Sequence, residues 1–106
     1  MKFTQAMMAV AAATAMQVAV SEPAHATGKM KCEAGPESGW TSRERLEAKL
    51  KAEGWQVRKS KVDGGCYEVY GTTPEGDRVE AYFHPVTLEK LLVTKRGGKV
   101  LFRKAD

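Results

Sequence analysis

The chain has 106 residues, of which 28% are charged and 42% apolar, with a formal net charge of +4 at pH 7. That length allows one small domain and excludes a multidomain enzyme, a multi-pass membrane protein and a repeat array. The charged and apolar fractions are wrong for a disordered chain. The totals hide an uneven layout: Met1, Met7, Met8 and Met16 crowd the start, and before Lys29 the only charged side chains are Lys2 and Glu22.

The first segment has the layout of an export signal. Met1–Gln5 is a short basic start, Ala6–Val20 an apolar run broken by Thr14 and Gln17, and Ala24-His25-Ala26 a small-x-small site. The apolar run is shorter than the roughly 17–25 residues of a bilayer span, which weighs against a retained anchor. Twin arginines are absent, and Cys32 follows Met30-Lys31 rather than small apolar residues, unlike a lipoprotein signal. The expected organisation is a signal peptide over 1–26 cleaved after Ala26, an extended lead-in over 27–40 and an α+β domain over 41–106. The mature chain is expected in the periplasm or outside the cell.

Two cysteines, Cys32 and Cys66, suit one structural disulfide in an exported chain. The alternatives are a metal site, which needs more ligands than two cysteines and the single mature histidine normally supply, and a redox pair, which favours a CxxC spacing. Thr41 and Glu44 have capping-box spacing. Leu46 and Leu50 share a helical face, with Ala48 or Ala52 beside it, and Gly54 suits the position after a helix end. These signals predict a helix over about Ser42–Glu53, too short to persist without a sheet to cover.

Strand and turn signals fill the rest. Trp55–Arg58, Cys66–Tyr70, Arg78–Phe83 and Leu91–Thr94 read as strands, and Val100–Phe102 as a short fifth. Asp63-Gly64-Gly65, Pro74-Glu75-Gly76-Asp77 and Gly97-Gly98 separate them. Alternation places Trp55, Val57, Tyr67, Val69, Val79, Ala81 and Phe83 against the helix. It places Gln56, Arg58, Glu68, Tyr70, Glu80, Tyr82 and His84 on the opposite face, expected to be solvated. The fold class is one N-terminal helix on a curved antiparallel sheet of three to five strands.

Several segments in order resemble the PepSY domain in its small exported form. They are Trp40 before the helix, Gly54-Trp55 at its end, Gly65-Cys66-Tyr67-Glu68 opening a strand, Glu75-Gly76-Asp77-Arg78-Val79-Glu80 around a turn, and His84-Pro85-Val86-Thr87. The resemblance runs from about Trp40 to Leu92. It implies an α+β fold and a role in inhibiting or regulating peptidases, or in sensing at the cell envelope. No catalytic residues are attributed to the family. Its last turn is commonly Asp-Pro-x-Thr-Gly, whereas this chain has His84 for the aspartate and Leu88 for the glycine. Leucine should avoid positive φ, so Pro85–Lys90 is expected as a helical turn instead.

The chemistry-bearing residues are sparse. No nucleophile elbow, zinc helix or phosphate loop is present. Glu68 and Glu80 could sit cross-strand, but beside Arg58 they read as solvated or salt-bridged rather than catalytic. No enzyme activity, cofactor or metal is expected. Two binding surfaces are. Arg58, Glu68, Tyr70, Glu80, Tyr82 and His84 form a candidate partner-binding face, since tyrosine and arginine are common contact residues. The competing reading is that such tyrosines only cover a sheet. On the binding reading, alanine at Tyr70 and Tyr82 should abolish capture of an unknown protein partner, a peptidase or envelope sensor, and leave the fold intact. Lys95, Arg96, Lys99, Arg103 and Lys104 form a basic stretch that could rest on an anionic membrane or lipopolysaccharide surface, or simply face solvent. Nucleic acid is not an expected partner. An exposed edge strand could also take an extended peptide by strand addition.

Overall fold

The computed structural model of the chain describes residues 28–105, so the expected signal peptide, its cleavage after Ala26 and Thr27 lie outside the described residues. The order is a single 3-10 turn Glu37–Gly39, helix α1 (Arg43–Ala52), then strands β1 (Gln56–Asp63), β2 (Cys66–Thr72), β3 (Arg78–Phe83), β4 (Lys90–Lys95) and β5 (Val100–Arg103). The strands form one antiparallel sheet in sequential order. An α+β domain with one helix on an antiparallel sheet is the architecture the sequence implies.

The start of α1 differs from the expected capping box. Ser42 is the N-cap, accepting from the Arg45 N–H at 3.1 Å. Thr41 is turned away: its hydroxyl donates to the Val86 carbonyl at 2.7 Å and its N–H to the Pro85 carbonyl. One residue of register therefore frees Thr41 to tie the helix entry to the β3–β4 turn. The end of α1 is as expected. Gly54 has φ +99°, and the amides of Gly54 and Trp55 return to the Lys51 and Leu50 carbonyls, a Schellman closure. Ala48 and Ala52 are exposed, so α1 buries only Leu46 and Leu50.

Those two leucines pack on the sheet face formed by Trp55, Tyr67, Val69, Val79, Ala81, Phe83 and Val93. Trp55 meets Phe83 edge-on, and Trp40 meets Tyr67 edge-on. The predicted inward set packs here, with Val57 partly buried at its margin and Val93 added from β4. The opposite face departs from expectation. Its tyrosine and glutamate rows are not solvated: Tyr82 and Glu68 are both 0% exposed. The lead-in crosses this face instead of trailing away. Met30 and Cys32 pack with Cys66, Tyr82, Leu91 and Leu92, and Cys32 is disulfide-bonded to Cys66. The Cys32 N–H also donates to the Gly64 carbonyl at 2.8 Å. Gly64 and Gly65 both have positive φ, and a Cβ on either would strike the backbone of Met30 or Cys32. The β1–β2 turn is thus built from glycine twice over, for its own geometry and for the strap lying against it.

The β3–β4 turn corrects a second expectation. Pro85–Lys90 is not helical; Leu88 adopts φ +65°, alone among the described non-glycine residues. Its N–H donates to the His84 carbonyl, and the His84 N–H to the Glu89 carbonyl. His84 caps its own turn, since its Nδ1 accepts from the Val86 and Thr87 amides at 3.1 and 3.4 Å. Leu88 in turn packs against the core, which offsets the roughly 1–2 kcal/mol that positive φ costs a leucine. We expect His84→Ala to lower stability by about 1 kcal/mol. His84→Asp should stay within half of that, because a carboxylate offers the same acceptor. Urea unfolding of the two variants separates the outcomes.

Candidate functional site

The strap-covered face is a polar network built on two rows of the sheet. One row runs Lys61, Glu68, Tyr82, Leu92; the next runs Lys59, Tyr70, Glu80, Thr94. Glu68 therefore faces Tyr82 and Glu80 faces Tyr70, so the two glutamates are diagonal neighbours and not the cross-strand pair expected. The Tyr82 hydroxyl donates to Asp63 Oδ2 at 2.8 Å, and the Gly28 N–H reaches the same oxygen at 3.1 Å. The strap's Lys29 places its ammonium 3.1 Å from Glu80 and 3.4 Å from the Thr94 hydroxyl. Lys61 lies 3.8 Å from the buried Glu68 carboxylate.

Tyr70 sits at the centre. The ammonium groups of Lys59 and Lys61 lie over its ring, 5.0 and 5.3 Å from the centroid. Burial, then the negative charges of Glu68 and Glu80, push its hydroxyl up to about 12, and it hydrogen-bonds Glu68. Such an acid holds its proton in the folded state after the unfolded chain, near 10, has released it. The folded state then binds more protons, so stability falls as pH rises from about 10 to about 12. Burial raises Tyr67 in the same direction. We expect Tyr70→Phe to flatten the alkaline loss of stability in a series of urea titrations. An unchanged slope would exclude Tyr70 as its source.

Of the six residues expected on a partner-binding face, Glu68 and Tyr82 are buried, while Tyr70, Glu80 and His84 are half-buried; only Arg58 is exposed. Arg58 does not join them. The β1–β2 register shifts between Val57 and Lys59, leaving Arg58 in a bulge. Beyond the bulge the parity of β1 reverses, so Lys59 and Lys61 supply the cations expected of Arg58. His84 folds onto its own turn. The six do not form one exposed surface.

The five basic residues of the C-terminal stretch are all exposed around β5 and the β4–β5 turn. Lys95 pairs with Asp77 at 3.7 Å and Lys104 with Glu89 at 3.8 Å. Arg96, Lys99 and Arg103 make no ion pair among the described residues. Between them lie three apolar side chains that sequence reasoning did not assign to a site: Val100, Leu101 and Phe102, exposed by 46, 39 and 37%. Leu101 and Phe102 form the lip of a cleft of about 420 Å³ whose lining includes Trp55, Pro74, Val93 and Lys90. The Lys90 ammonium lies over the Phe102 ring at 4.4 Å. The cleft exists because α1 is short and lies over the β1 side of the sheet, leaving the β4–β5 end of the helix-side face open.

Among the described residues no three His, Cys, Asp or Glu side chains gather where they could hold a metal ion. No described helix is long and apolar enough to cross a membrane. No curated protein and no solved structure matches the chain. A family model does, and its extent covers the strap, the helix, the first three strands and most of β4. The chain matches the PepSY_2 family, the peptidase propeptide and YPEB domain, over residues 6–93, and belongs to it.

Proposed function

We propose that this protein is an exported, non-enzymatic module that binds a peptidase at the cell envelope and regulates it. The observation that carries the reading is membership of a peptidase-propeptide family across most of the chain. The local chemistry agrees. The face richest in carboxylates and hydroxyls is occupied by its own strap, and its groups are spent on one another rather than presented to a substrate. The apolar run Ala6–Val20 with the small-x-small site Ala24-His25-Ala26 after it, and the disulfide, both suit an oxidising compartment.

The test is crosslinking capture from the native envelope, with the recovered peptidase assayed alone and with added mature chain. A crosslinked peptidase whose turnover changes on addition supports the reading. Capture that yields no peptidase removes it.

A further inference from the structure

We propose that the free edge of β5, with the cleft beside it, accepts an extended segment of the partner as a sixth strand, apolar at its centre and acidic at its flanks. The inference rests on the binding role above and specifies what is bound. It begins from a difference between the two edges of the sheet. The β1 edge is blunted in several ways that natural sheets use against pairing. It carries the bulge at Arg58 and the two lysines Lys59 and Lys61. Its Ser60 carbonyl is taken by the Arg43 guanidinium, and its Ser60 hydroxyl donates to Glu47.

The β5 edge shares a bulge, at Leu101, and carries Arg103, but among the described residues no side chain of another element hydrogen-bonds its backbone as Arg43 does that of β1. Among the described residues no strand lies beyond it, and all four of its residues are exposed. The large exposed hydrophobics of the described chain are Val62, Val86, Val100, Leu101 and Phe102, and three of these five are consecutive on this strand. The Lys104 N–H donates inward to the Leu91 carbonyl. By the alternation of an antiparallel ladder, the neighbouring Arg103 N–H and C=O then point away from β4. An added strand supplies partners for such groups, and alternate side chains of that strand can enter a pocket beside it. The cleft walled by Trp55, Pro74, Val93, Leu101 and Phe102 is that pocket.

Charge selects the occupant. Arg96, Lys99 and Arg103 flank the apolar strip without ion pairs among the described residues, which favours carboxylates at both ends of the incoming segment. A second copy is disfavoured. Pairing β5 with itself about Leu101–Phe102 sets the Lys99 of each copy against the Lys104 of the other, and like charges directly opposite destabilise a ladder. A lipid surface would satisfy the cations, but its acyl region offers nothing to the outward N–H and C=O of the strand.

The experiment titrates the isotopically labelled mature chain with a synthetic peptide, Val-Phe-Val flanked by two acidic residues at each end. A lysine-flanked analogue and a backbone N-methylated analogue serve as controls. We expect amide shifts confined to Val100–Arg103 and the cleft, and slowed exchange of the Arg103 amide. Binding should be at least about tenfold weaker for the lysine-flanked peptide, given several charge contacts on an exposed surface, and should weaken with salt. It should be lost on N-methylation and in Leu101→Asp, whose fold is checked by circular dichroism. The proposal is overturned by shifts elsewhere, by equal binding of the N-methylated peptide, by concentration-dependent dimers through β5, or by binding to phosphatidylglycerol vesicles without binding to the peptide. Envelope capture of a peptidase that survives Leu101→Asp also overturns the edge assignment and leaves the regulatory reading standing. Peptide binding at β5 with no peptidase ever captured does the reverse.

Discussion

Replacing both cysteines, Cys32→Ala together with Cys66→Ala, should lower the unfolding free energy by about 3–4 kcal/mol, the chain-entropy value for a loop of this size. The bridge joins positions 34 apart in sequence. Its weight is large because a domain this small buries only ~60–65% of the surface of its unfolded chain and total stabilities run about 5–15 kcal/mol. The effect is also local. Without the bridge the strap is held by the Cys32–Gly64, Gly28–Asp63, Lys29–Tyr82 and Lys29–Thr94 hydrogen bonds, the Lys29–Glu80 pair and the packing of Met30. The pair is partly exposed and contributes about 1 kcal/mol or less. Hydrogen exchange should therefore show the Gly28–Cys32 amides losing protection before the β2–β3 ladder does. Alanine is preferred to reduction as the test, because Cys66 is fully buried and a reductant would reach it only after opening. An unchanged urea midpoint would mean that the strap is held by its other contacts alone.

The helix-side face was legible in the sequence because one rule decides it: residues two apart share a face, and Tyr67, Val69, Val79, Ala81 and Phe83 obey it without interruption. The other face was misjudged because the covering piece is not a regular element. Residues 28–36 have no periodicity to read, and what fixes them is a disulfide and backbone contacts with Gly64 and Gly65. Two signals were nevertheless present. Leu91-Leu92-Val93 is a continuous apolar run, which a sheet solvated on one face does not need; Leu92 is buried beneath the strap and Val93 faces the core. In β1, Val57 and Val62 both take the helix side despite their odd spacing, which is possible only with a bulge between them. That break in parity removes Arg58 from the expected face and substitutes Lys59 and Lys61. The β3–β4 turn was misjudged for a different reason. Local propensity forbids leucine at positive φ, but Leu88 has core contacts, and His84 supplies the acceptor the turn requires. Tertiary contact outweighed a cost of roughly 1–2 kcal/mol.

Tyr82→Ala should lower stability by about 3–5 kcal/mol, the range for removing a large buried aromatic, and at that size it threatens the fold itself. This reverses the expectation that alanine at Tyr70 and Tyr82 leaves the fold intact. The side chain is 0% exposed and packs with Cys66 and Leu92 under Met30 and Cys32. Its hydroxyl donates to a carboxylate that also receives the strap's first described amide. Tyr82→Phe isolates the polar part. It keeps the ring and removes the hydrogen bond to the Asp63 carboxylate, at about 1.5–3 kcal/mol, together with a longer one from the Lys29 N–H at 3.4 Å. Asp63→Asn combined with Tyr82→Phe then measures the coupling between the two, since the pair is in direct contact and should not be additive. A double-mutant cycle with less than about 0.5 kcal/mol of coupling would show the hydroxyl to be dispensable to Asp63. The same series guards the interpretation of binding data. A partner lost with Tyr82→Ala but retained with Tyr82→Phe has been lost through unfolding of the strap-covered face, whereas loss with Leu101→Asp in a fully folded chain reports on the surface that meets the partner.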